Sequence, residues 1–167
     1  MDRFYFETKL AATDDGEITG TAWPFGSPDR VGDVITKGAF AGTVLPLPML
    51  FGHDLNDPIG TWTTATEDAA GLQVKGKLLI DDVLRAREVH SLVRSGAVRG
   101  LSVGFSTKKS APRKGGGRTI SLLDLMEISL VTVPMHPGAR VTSAKSAVAA
   151  IALAEAINRA TARISRN

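Results

Sequence analysis

The sequence predicts a mainly β domain of the α+β class. Short apolar runs rich in β-branched residues alternate with Gly, Pro and Asp turn signals over the first 80 residues. Leu72-Gln73-Val74-Lys75-Gly76-Lys77-Leu78 alternates apolar and polar, the period of a half-buried strand. Helical spacing interrupts this pattern over 82–95 and returns only in an Ala-rich C-terminal segment.

Taken in order, Phe4-Tyr5-Phe6 begins a first strand and Ile18 to Trp23 forms the next. Asp14-Asp15-Gly16 is the turn between them, since Asp and Gly tolerate positive φ. Pro24 to Gly32 reads as a loop, Pro46 to Phe51 as a short apolar strand, and Ile59 to Thr66 as a β-branched one. Val83, Ala86, Val89, Leu92 and Val93 recur at helical spacing, with Asp81 or Asp82 as cap and Gly96 as terminator. Strands are expected over Gly100–Thr107 and Ile120–Val133, joined by a flexible basic loop from Lys108 to Arg118. The domain is expected to occupy 1–142. Residues 143–167 form an Ala-rich, basic tail, expected to be helical, with Val148, Ile151, Ile157 and Ile164 partly on one face.

The 167-residue chain is long enough for one domain with a real core and short for two. It has no Cys, which excludes disulfides, thiol nucleophiles and thiolate-bound zinc and fits a reducing compartment. No apolar run approaches the roughly 20 residues of a membrane-spanning helix, and Met1-Asp2-Arg3-Phe4 does not open a secretory signal. The net charge of +3 is uneven: 1–107 carries ten Lys/Arg against fourteen Asp/Glu, and 108–167 carries ten against three. A basic C-terminal third could meet nucleic acid or an acidic surface, or simply be solvated. Aromatic content of 5% offers no base-stacking platform.

Three residues could carry chemistry. On a strand through Gly100-Leu101-Ser102-Val103-Gly104-Phe105, Ser102 shares a face with Gly100 and Gly104. Such clearance would admit an extended substrate across a nucleophile, or mark a Gly-rich barrel bend with an incidental Ser. His53 closes the apolar run Leu47–Gly52, where one ring nitrogen can stay free for a proton, although a surface-loop His is an equal reading. Glu127 interrupts the apolar strand Leu123–Val133, on a face with Leu125, Ser129, Val131 and Val133. A carboxylate there needs a partner, either a catalytic imidazole or a structural Arg. His90, inside the helix, reads as structural. The three His lack metal-ligand spacing, and Gly115-Gly116-Gly117 lacks the Lys-Ser/Thr of a phosphate loop. Ser102 also differs from a nucleophile elbow, because its strand continues past it.

Several segments together resemble the prohead protease family of HK97-type tailed phages. Lys37-Gly38-Ala39-Phe40 is similar to its "pGAF" element, and Phe51-Gly52-His53-Asp54 with Pro58-Ile59-Gly60 to its "HD…PIG" block. Gly71-Leu72, Gly100–Phe105 and Glu127–Pro134 follow in the family's order, so the resemblance covers about residues 15–142. The family is itself similar in fold to herpesvirus assemblin proteases, which implies a closed β-barrel with surrounding helices. The resemblance implies a serine endopeptidase that cleaves capsid or scaffold protein, and itself in some cases, inside the immature capsid in the bacterial host cytoplasm. By motif, Ser102 is the nucleophile, His53 the general base and Glu127 the orienting acid, with Asp124, Asp54 and His136 as alternatives for the third place. The oxyanion donors fall to backbone N–H groups around Met135 to Gly138, chiefly Met135 and His136. No cofactor or metal is called for. The implied partner is the major capsid protein with its scaffold segment, and a homodimer is the candidate oligomer; neither membrane nor nucleic acid is expected. The rival classes are a catalytically inactive assembly factor that keeps the protease fold, and a basic nucleic-acid-binding barrel.

Overall fold

A computed structural model describes residues 15–143. Its elements are β1 (Glu17–Pro24), β2 (Val34–Ile35), β3 (Leu47–Phe51), β4 (Pro58–Glu67), β5 (Gly71–Leu78), α1 (Leu84–Arg94), β6 (Gly100–Pro112), β7 (Arg118–Val131) and β8 (Arg140–Ser143). The expected strand at 4–6 and the body of the expected C-terminal helix lie outside the described residues.

Neighbouring strands run β7-β3-β4-β5-β1-β8-β6, and β6 pairs again with β7, which closes a seven-strand barrel. All of these pairings are antiparallel except β3 on β7. β2 joins in parallel at the other end of β7, beside Thr119 and Ile120. Closure removes free sheet edges and gives each strand an inward face. Ile18, Met49, Ile59, Trp62, Leu78, Leu101, Ile128 and Leu130 fill that interior, all without solvent contact. Trp62 also donates its indole N–H to the Ile128 carbonyl at 2.9 Å, so this buried ring keeps its donor paired.

α1 packs on β4 and β5 through Ala86, Val89 and Val93. It is shorter at its start than expected: Val83 is the N-cap and no side chain caps it, so neither Asp81 nor Asp82 has the predicted role. Gly96 ends it with φ +78, as expected of a C-terminal glycine. Leu92 turns outward, and His90 takes its place on the buried face. Arg85 reaches from α1 to the Asp57 carboxylate at 3.3 Å and lies 4.6 Å from the centre of the Phe51 ring. It thereby braces both ends of the loop that carries His53.

The segment expected as a flexible loop is mostly strand. β6 runs to Pro112 and β7 starts at Arg118, so only the hairpin tip between them is turn. That tip is tied down. Asp33 accepts from the Arg118 backbone N–H at 2.7 Å and pairs with its guanidinium at 2.5 Å, while Arg113 donates to the Gly32 carbonyl. The Arg118 partner holds the nearly buried Asp33 carboxyl below its usual range. The "GAF" segment is also a structural clamp: Glu67 accepts the N–H groups of Gly38 at 2.7 Å and Phe40 at 3.1 Å, seating Phe40 in the core.

Candidate active site

Ser102 and Glu127 face outward from the barrel on paired strands. Ser102 lies opposite Ser129 and Gly104 opposite Glu127, so these four share one face, with Leu101, Ile128 and Leu130 on the other. A register shift at Gly104/Phe105 inserts Met126 as an extra residue on β7. It turns Leu125 into the core, whereas simple alternation had set Leu125 beside Glu127. The face around Glu127 is therefore more polar than the sequence suggested.

His53 arrives from the end of β3, which lies parallel to β7 with Phe51 beside Leu130. Gly52 and His53 both take positive φ, 63° and 65°, and the chain turns sharply over the Ser102–Glu127 face. Few side chains other than Asn, Asp and His adopt this region. The ring lands between the other two groups. Nε2 is 2.8 Å from Ser102 Oγ, and Nδ1 is 2.7 Å from Glu127 Oε1. Ser102 and Glu127 are each 4% exposed, while the His53 side chain is 44% exposed. The imidazole is thus the wet member of an otherwise buried line. Its hydrogen bond to Glu127 raises its pKa above the usual histidine value, against the opposing pull of desolvation.

The alternatives for the third position are elsewhere. Asp124 Oδ2 pairs with Lys108 at 2.6 Å, and Asp54 accepts the Asn56 N–H at 2.8 Å. The buried His136 packs edge-on against Trp23 with ring centres 4.9 Å apart, accepts the Gly138 N–H on Nδ1 at 3.1 Å, and sets Nε2 3.1 Å from the Ser27 carbonyl. Its burial lowers its pKa. Among the described ion pairs, none joins Glu127 to an arginine; its partner is His53.

The loop holding Met135 and His136 passes beside the start of β6, where Leu101 N–H reaches the Ala139 carbonyl at 3.4 Å. Arg140 pairs with Gly100, on the face that Ser102 occupies. Burial, then the neighbouring Arg99 and Arg30, lowers the Arg140 pKa, and Arg30 Nε donates to the Pro134 carbonyl of this loop at 3.1 Å. Sequence reasoning passed over Arg140, whose only signal was its place after Gly138-Ala139.

Gly104 has a different purpose from the clearance first assigned to it. A Cβ there would lie 2.8 Å from the Glu127 carboxyl carbon and in contact with Oε1. The missing side chain lets the Glu127 carboxylate lie against β6, where Oε1 meets His53 Nδ1. Gly104→Ala should therefore push Glu127 off its line and cut turnover about tenfold or more, since misplacements near 1 Å are that costly. The melting temperature should shift little by comparison. Wild-type turnover in purified Gly104→Ala would show that Glu127 needs no such space.

The closed seven-strand barrel is, as a fold, of the herpesvirus-protease type. The solved KSHV protease, in complex with a hexapeptide phosphonate inhibitor, superposes with a TM-score of 0.51 over 75% of this chain and 63% of that one, at 14% identity. At that identity the likeness speaks for the fold alone. The model of the family described as caudovirus prohead serine protease matches residues 5–153, and the chain belongs to that family. It is 38% identical over 157 residues to the capsid polyprotein of Pseudomonas phage PAJU2, covering 87% of this chain and 23% of that protein. It is 33% identical over 153 residues to the prohead protease of Enterobacteria phage HK97, covering 84% and 66%. The Escherichia phage T5 prohead protease is 28% identical over 127 residues, with 72% and 59% covered. The chain thus spans no more than 66% of the length of these relatives.

Proposed function

We propose that the chain is a serine endopeptidase of prohead maturation, with Ser102 as nucleophile, His53 as general base and Glu127 as orienting acid. The observation that carries this reading is the unbroken line from Ser102 Oγ through both ring nitrogens of His53 to Glu127. In the reaction, Ser102 Oγ attacks the scissile carbonyl carbon while Nε2 takes its proton. His53 then gives that proton to the leaving amine as the C–N bond breaks. Water, deprotonated by the same nitrogen, hydrolyses the acyl ester and restores Ser102. Glu127 keeps the Nδ1–H tautomer and stabilises the imidazolium. The oxyanion forms beside the loop of Met135 and His136, whose backbone N–H groups we assign as donors.

The substrate is a capsid protein with its scaffold segment, cut inside the immature capsid in the host cell. The relative from phage PAJU2 supports this choice, being a capsid polyprotein of which the matching segment is 23%. The intact Ser102, His53 and Glu127 speak against an inactive assembly factor. Coexpression with the capsid protein of the same phage tests the reading. New capsid-protein termini, found by mass spectrometry only when the chain is present, are the expected result. Capsid protein of unchanged mass inside assembled particles would sink it.

The raised His53 pKa fixes the sign of the pH dependence. His53 must be neutral to accept the Ser102 proton, so kcat/KM should fall as pH drops, beginning above the usual histidine value of 6.5. A rate that stays flat from about pH 8 to about pH 5, with the protein still folded, would exclude His53 as the base.

A further inference from the structure

Ser129 is fully buried two residues beyond Glu127 on β7. Its hydroxyl donates to Glu127 Oε2 at 2.7 Å and accepts the backbone N–H of His53 at 3.0 Å. A hydroxyl has one proton and two lone pairs, so both bonds coexist. They close a ring: His53 N–H to Ser129 Oγ, Ser129 O–H to Glu127 Oε2, and His53 Nδ1–H to Glu127 Oε1. The ring ties the main chain and the imidazole of one residue to a single carboxylate.

We propose that Ser129 is a positioning residue for the His53–Glu127 pair, an inference that rests on the catalytic reading of those two. Two needs meet in its hydroxyl. Glu127 has two oxygens and one imidazole proton to receive; with Oε2 held by Ser129, Oε1 is aimed at Nδ1. His53 sits at φ 65, a conformation that persists only where the surroundings over-determine it. The bond from its N–H to Ser129, beside that from Gly52 N–H to the Leu130 carbonyl at 3.0 Å, supplies this determination. The sequence already set Ser129 on the face of Glu127. The missing information was the turn that lowers the His53 main chain onto it.

The competing account is a small polar residue that merely satisfies two buried groups. It predicts lost stability and unchanged chemistry per folded molecule. A positioning role predicts a split. Ser129→Ala and Ser129→Val should lose about ten- to a hundredfold in kcat on a capsid-derived peptide, with KM nearly unchanged. Ser129→Thr, which has the shape of Val but restores the hydroxyl, should recover most of the rate. In proton NMR, the Nδ1 proton of His53 should be a slowly exchanging downfield signal in the wild type and in Ser129→Thr, and weakened in the other two. Should the Thr and Val methyl prevent folding, Ser129→Ala against the wild type still decides. Equal kcat and an unchanged Nδ1 proton in Ser129→Ala would overturn the proposal. A wild-type chain without Ser102-dependent cleavage would instead defeat the catalytic reading, and the NMR comparison would still judge the hold of Ser129 on the pair.

Discussion

Ser102→Ala is expected to fold like the wild type and to leave capsid protein uncut. The substitution deletes one oxygen from a strand whose pairing to β7 is made by backbone groups. The partner that loses the contact, His53 Nε2, belongs to a side chain 44% exposed, so water replaces the hydroxyl at little cost. Thermal unfolding should be nearly unchanged. Catalysis has no such substitute. In a triad enzyme the loss of any member leaves only about 10³–10⁴ over water, from the oxyanion hole and binding. Against spontaneous peptide hydrolysis that residue is invisible on the timescale of assembly. The measurement is capsid-protein mass from particles made with wild-type or Ser102→Ala chain. Trimming by purified Ser102→Ala would remove Ser102 as nucleophile.

The elements that were legible in the sequence are those in which a single segment carries its own signal. β5 is visible because it alternates over its whole length, and α1 because one face is apolar at helical spacing. β2 and β8 have two and four residues and no period long enough to detect; they exist because β7, β1 and β6 offer edges to pair with. The hairpin arms of β6 and β7 were hidden by Lys, Arg and Gly that read as loop; their mutual pairing and the tether to Gly32 and Asp33 explain their order.

The site divides the same way. Ser102, His53 and Glu127 are conspicuous as types in their local settings, and the order of short motifs gave them roles by resemblance. Their meeting is not local. It depends on β3 running parallel to β7, on positive φ at Gly52 and His53, and on the bulge at Met126 that splits Glu127 from Leu125. Gly104 shows the limit well. A glycine beside a nucleophile suggests room for substrate, and only the path of the Glu127 side chain reveals that the room is already taken.

Glu127→Gln is expected to cut turnover by at least about a hundredfold, approaching the roughly 10⁴ seen when a triad acid becomes an amide. The geometry leaves the glutamine two orientations, and each fails. With its oxygen toward His53, the Nδ1–H bond survives, but the charge that stabilises imidazolium is gone and the Ser129 hydroxyl proton loses its acceptor. With its NH₂ toward His53, Nδ1 must accept, the ring proton moves to Nε2, and no lone pair remains to take the proton of Ser102. The acidic limb should also move to lower pH, since the Glu127 hydrogen bond is the chief cause of the raised His53 pKa. Stability should respond weakly, with any loss concentrated at acid pH. A histidine whose pKa is raised on folding contributes stability below its unfolded pKa and loses it as pH rises through the folded one. The lost pair therefore matters most in acid, and the exposure of His53 keeps it small. Near neutral pH the amide is also cheaper to bury than a carboxylate. Turnover, the pH of the acidic limb and the melting temperature, measured on this one variant, separate the two roles open to Glu127. Wild-type turnover and an unmoved limb with a lowered melting temperature would make Glu127 a clamp for the His53 turn rather than the acid that orients its ring.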